Sequence, residues 1–165
     1  MDLYPWVVLT HVLAAFAFAL SHGVSAYAGF AMRANSRDPA AVRTLLGLSG
    51  LSIGGLYISL LVLLVAGIAA AIMGGWFGRG WPWAAIVLVI LIVVAMYAMA
   101  SRYYATIRSA VGMPSYNDKK GEPPPEPVSP DELAVLVDTR RPDVIGLVGV
   151  IGILILLYLM MFKPF

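Results

Sequence analysis

The side chains of this sequence best suited to chemistry are two histidines, His11 and His22, and no cysteine accompanies them. On a helix, their separation of 11 residues is three turns plus about 20°. Both imidazoles therefore share one face, about 16.5 Å apart along the axis. An imidazole in an apolar slot ligates the iron of a b-type haem, or a soft metal ion together with methionine. No other apolar stretch contains a histidine. A haem b site would then be completed by methionine, by single ligation or by a second subunit. The alternative is structural: buried imidazoles bonded to tyrosine, serine or backbone carbonyls. Proton relay has no intramembrane carboxylate to serve as partner.

Depth along the helices selects the neighbours. His11 is level with Met73, Tyr158 and Met161. His22 is level with Tyr57, Ser59, Met96, Tyr97 and Met99. The candidate cofactor-binding set is His11, His22, Met96 and Tyr57. No catalytic set accompanies it: there is no phosphate loop, no pair of intramembrane carboxylates and no serine–histidine–aspartate combination within the apolar stretches. Asp118, Glu122, Glu126, Asp131, Glu132, Asp138 and Asp143 gather in one polar connection or at its edge, where carboxylates are ordinarily solvated. A non-enzymatic protein is the expectation.

The elements that must position these residues are apolar helices. The 165 residues are 61% hydrophobic and 12% charged, far from the balance of a water-soluble domain. Stretches of about 3–32, 45–77, 81–108 and 144–162 read as four spans of a single transmembrane domain, 1–165, with a polar connection of about 109–143. Each is long enough for a hydrocarbon core of about 30 Å, and the first two are long enough to tilt or protrude. The first is too long for a signal-peptide core, and no basic region precedes it, so it reads as a retained span. Nine of the basic residues fall in the first and third connections, against Arg79 and Lys163 on the other side. The positive-inside rule then puts both termini outside and those two connections in the cytoplasm. Trp6, Trp76, Trp81 and Trp83 fall at the outer boundary, where indoles favour the headgroup region. No basic run exceeds two residues, so no nucleic-acid partner is expected.

The connections carry local signals. Gly74-Gly75-Trp76-Phe77-Gly78-Arg79-Gly80-Trp81-Pro82 is a tight hairpin, predicting that spans two and three are antiparallel neighbours. Gly121 to Pro130, with three consecutive prolines, reads as extended. Ser129-Pro130-Asp131-Glu132 is a capping box with proline at the first helical position. It opens a short amphipathic helix with Leu133, Leu136 and Val137 on one face, lying on the cytoplasmic membrane surface or against the bundle. Glycines at 47, 50 and 54, at 146, 149 and 152, and at 23 and 29 supply small faces for helix packing in lipid. They would serve this chain's own packing, a second copy, or a partner in a larger membrane complex.

Several short motifs together resemble a family. They are His11-Val12-Leu13, Ser21-His22-Gly23, Gly67, Gly74-Gly75-Trp76 and the end Leu159-Met160-Met161-Phe162-Lys163-Pro164. In this the chain is similar to bacterial four-span membrane proteins of unknown function, themselves distantly similar to the membrane domain of the copper-resistance protein CopD. The resemblance implies a four-helix bundle in the bacterial cytoplasmic membrane and favours His11 and His22 as the residues of interest. The fold expected is all-α: an integral membrane four-helix bundle in the lipid bilayer, both termini outside, with a short cytoplasmic helix before the last span. Its histidine face would take haem b or a metal ion, or else the protein would be a structural or assembly subunit without cofactor.

Overall fold

The computed structural model describes residues 2–115, 118, 123 and 125–165. Lys119 and Lys120 of the basic count, and Gly121, Glu122 and Pro124 of the expected extended stretch, lie outside the described residues. Five α-helices follow in order: α1 Tyr4–Ala34, α2 Pro39–Met73, α3 Gly80–Ala110, α4 Pro130–Val137 and α5 Arg141–Phe162. No strand occurs among the described residues. Four helices are long and apolar enough to cross a membrane. The chain exposes 10282 Å², against about 8,000 Å² for a soluble protein of this mass. Large apolar side chains face outward along the helices, Leu51, Leu20 and Ile58 among them. This is the surface of a multi-pass membrane protein.

The helices start and stop for local reasons. Asp38 accepts hydrogen bonds from the Ala40 and Ala41 amides, and Pro39 fills the first helical position. That cap begins α2 six residues before the expected start at Leu45 and reduces the first connection to a single tight turn. At its other end α2 stops at Met73, where Gly75 takes φ +67° and a 3₁₀ turn covers Trp76–Gly78. α3 ends at Ala110, and Gly112, also at φ +67°, turns the chain away. Arg43 donates to the Val111 and Gly112 carbonyls at 2.7 and 3.1 Å, supplying a cation and donors to a helix C-terminus. The Ser129–Glu132 capping box forms as expected and opens α4.

Packing pairs the helices differently from the hairpin expectation. α2 lies along α1 over its length, α3 lies on α5, and α2 and α3 touch only sparsely. The tight hairpin sets chain direction, but small residues decide which faces meet. On α1 and α2 the seam is antiparallel: His11 against Leu63 and Gly67, Ser21 against Gly55, Ser25 against Ser49, with Tyr4 bonded to Trp76 just past the end of α2. On α5, Gly146 receives Phe30, Gly149 receives His22 and Met96, and Gly152 receives Ile92. The expected small faces of α5 are thus filled from within the chain.

Among the described residues, a conventional hydrophobic core forms at one end. Met32, Val42, Leu46, Tyr103, Ile107, Val111, Leu133 and Val137 are all buried there, drawn from α1, α2, α3 and α4, with Val111 just past the end of α3. α4 sits against the bundle: Leu133 and Val137 are fully buried, and the Tyr103 hydroxyl lies 3.4 Å from the Val137 carbonyl. Arg33 donates to Asp138 and Asp143, tying α1 to both ends of the α4–α5 turn. The opposite end is aromatic. Trp76 and Trp81 meet at 6.0 Å, and Lys163 Nζ lies 4.2 Å from the Trp76 ring centroid.

Because Leu133 fills a closed core, Leu133→Ala lowers unfolding stability in detergent by about 2–5 kcal/mol. Val135→Ala, at an exposed site of the same helix, leaves it within about 0.5 kcal/mol. Denaturant titration followed by circular dichroism measures both.

Candidate functional site

His11 and His22 share the α1 face predicted by their spacing but meet different surroundings. His11 Nδ1 donates to the Leu63 carbonyl of α2 at 2.9 Å. The ring reaches that carbonyl because Gly67 has no side chain: a Cβ there would stand 2.8 Å from His11 Cε1. This is a satisfied interhelical hydrogen bond, the structural alternative raised by the sequence.

His22 differs. Its Nε2 is buried and has no hydrogen-bond partner. The nitrogen reaches from α1 to α5 at Gly149, where a Cβ would collide with it. The same Cβ position lies 3.0 Å from the Cε of Met96 on α3. An imidazole nitrogen and a thioether methyl therefore flank one spot, each on a different helix. Phe18, one turn before His22, holds its ring nearly parallel to the imidazole, 7° off, with centroids 6.3 Å apart. An unpaired buried nitrogen forfeits about 1–3 kcal/mol, and such orphans call for an explanation.

The remaining residues of the expected set separate. Tyr57 is 59% exposed on the outside of α2, and Tyr97 is 67% exposed on α3. Tyr158 lies 5.0 Å from the Phe162 ring and faces outward. The structure thus brings together His22 and Met96 and leaves His11 and Tyr57 apart from them. Gly149 is the contact of His22 that residue type did not announce. Its signal was the three-residue glycine spacing, which reads as packing and hides that one of the three glycines receives a histidine. Ser21 and Ser25, near His22 in sequence, turn to α2. Ser25 bonds Ser49 at 3.0 Å, and Ser21 Oγ lies 3.0 Å from where a Gly55 Cβ would stand. Among the described residues, no group of three His, Cys, Asp or Glu gathers as a metal site. What the arrangement offers is one unpartnered imidazole nitrogen with a thioether side chain close by.

Gly149 and Gly54 test this packing. Gly149→Leu drives a side chain into His22 and Met96 and costs about 1–3 kcal/mol or more. Gly54 has nothing within 4 Å of a Cβ, and Gly54→Leu is tolerated. Thermal unfolding of the two variants in one detergent separates them.

Comparison with protein-family models, with curated proteins and with solved structures finds no match to this chain.

Proposed function

We propose that this chain is a non-enzymatic integral protein of the bacterial cytoplasmic membrane that holds a soft metal ion, copper(I) being the chemical type, at His22 and Met96. The observation that carries this reading is the buried, unpartnered His22 Nε2 beside the Met96 thioether methyl. A neutral imidazole and a thioether are the donor types that select a soft monovalent ion. The likeness to the CopD membrane domain drawn from the sequence favours the same class of ligand. Haem b fits the packing less well. His22 Nε2 faces the α5 backbone at Gly149 directly, so a porphyrin plane would require α5 to withdraw from α1. His11, bonded to Leu63, and Tyr57, on the outer surface, take no part.

The α4 end faces the cytoplasm in this reading, and both termini face outside. Arg33, Arg37, Arg43, Arg102, Arg108, Arg140 and Arg141 all lie at that end or in its connections, while Arg79 and Lys163 lie at the other. The long α1 and α2 helices, 31 and 35 residues, then extend beyond the hydrocarbon on the cytoplasmic side, where the closed core sits.

One feature favours a second reading, that of an assembly subunit. Gly23, Gly47 and Gly54 have nothing near them. Beside them an apolar groove of about 560 Å³ runs along α1, lined by Phe16, Leu20, Val24, Tyr27 and Leu48. A partner helix fits such a face, and loss of association on Gly47→Leu would identify it.

Copper(I) titration of the purified protein against a chromophoric chelator tests the metal reading. Wild type and His11→Ala bind one equivalent, and His22→Ala or Met96→Leu weakens binding at least about tenfold, the loss of one charge-independent ligand bond of about 1.4 kcal/mol or more. Equal binding by His22→Ala overturns the site, and a Soret band in the visible spectrum of the same sample assigns haem instead. The orientation is checked separately. The chain has no cysteine, so single cysteines at Ser129 and Asp2 are labelled in whole cells by an impermeant maleimide at Asp2 only.

A further inference from the structure

A second surface is built for a ligand with one charged end and one apolar end. A groove of about 440 Å³ lies between α3 and the start of α5. Its walls are Ala98, Met99, Val144 and Ile145, and its rim is Arg140 and Arg141. Arg102 lies one helical turn beyond Ala98 on the same face of α3. These three arginines stand where a helix leaves its most apolar stretch.

Their counter-charges are engaged elsewhere. Asp138 and Asp143, the carboxylates closest in sequence to Arg140 and Arg141, both pair with Arg33 at 3.1 and 2.9 Å. Asp131 faces Arg37 at 3.8 Å. Among the described residues, no carboxylate is within ion-pair distance of Arg102, Arg140 or Arg141. The Arg141 guanidinium lies 6.0 Å from the Tyr103 ring centroid, a contact that restrains the side chain without neutralising it. Paired guanidinium groups recognise a phosphate through several parallel N–H···O bonds.

We infer that this groove binds an anionic phospholipid of the bilayer, its phosphate on Arg140 and Arg141 and an acyl chain along Ala98, Met99, Val144 and Ile145. The site is independent of the His22–Met96 pair. Charge complementarity selects the headgroup, and the apolar walls require that the phosphate carry a chain. A free phosphate satisfies the arginines and leaves the walls unused. The occupied groove joins α3 to α5 beside the α4–α5 turn, so the bound lipid stabilises the packing of the last span.

The test uses the full chain in a neutral detergent. Native mass spectrometry and thermal unfolding are recorded with phosphatidylglycerol, with phosphatidylcholine and with inorganic phosphate. Phosphatidylglycerol is retained and raises the melting temperature, and the other two do neither. The double variant Arg140→Gln/Arg141→Gln retains phosphatidylglycerol at least about tenfold less, the loss expected when two charge-assisted contacts go. The charge-matched Arg37→Gln/Arg79→Gln retains it as wild type does. Ala98→Phe, which fills the groove and keeps the arginines, also loses the lipid. Equal retention of phosphatidylcholine overturns the headgroup assignment. An equal shift with inorganic phosphate makes this a free-anion site. Unchanged retention in the Arg140/Arg141 variant overturns the location, and because the three probes are compared on wild type, misfolding of a variant cannot rescue the proposal.

Discussion

In lipid a helix gains little by burying leucine, because the hydrocarbon around it is equally apolar. What holds α1 to α2 is close approach of their backbones, and the rest of the bundle depends on that seam. Ser21 against Gly55, Ser25 against Ser49 and His11 against Leu63 and Gly67 are contacts that only small or hydrogen-bonding side chains permit. Each places a polar group of one helix where the other satisfies it or leaves room for it. The seam sets the rotation of α1 about its axis. With Ser21 and Ser25 turned to α2, His22, about 16.5 Å along the axis from His11, meets α5 and α3 instead.

The closed core at the α4 end completes the arrangement by different physics. Met32, Ile107, Leu133 and Val137 are removed from any solvent, as in a water-soluble protein. Helices of 31, 35 and 31 residues outrun a bilayer core of about 30 Å, so their ends can gather a core driven by the hydrophobic effect. α4 is its lid, begun by a capping box and anchored by two fully buried side chains. Arg33 binds acids at both ends of the turn that follows. The same ion pairs withdraw those acids from Arg140 and Arg141. Structural economy at one site thereby leaves a positive rim at another.

Glycine has two distinct uses along the bundle. At Gly67 and Gly149 its missing side chain admits an imidazole, and at Gly146 and Gly152 it admits Phe30 and Ile92. At Gly23, Gly47 and Gly54 nothing fills the space. One residue type in similar spacing therefore marks both internal contacts and open surface. Only the helix partners distinguish them.

Hydropathy, caps and spacing determined much of this protein without tertiary information. Four apolar stretches, each with room for about 20 residues of helix, could satisfy their backbones in lipid only as helices. The capping box at Ser129 and Glu132 opened α4, and an interval of 11 residues put His11 and His22 on one face. Tertiary structure decided which helices are neighbours and which way each is turned. The hairpin at Trp76 suggested α2 beside α3, yet α2 lies on α1, because interhelical fit rather than loop length selects partners in lipid. Depth alone could list Tyr57 and Met96 as equal candidates for His22. Rotation sends Tyr57 outward and Met96 to the histidine, and an apolar helix with little amphipathic bias carries no periodic signal from which that rotation can be read.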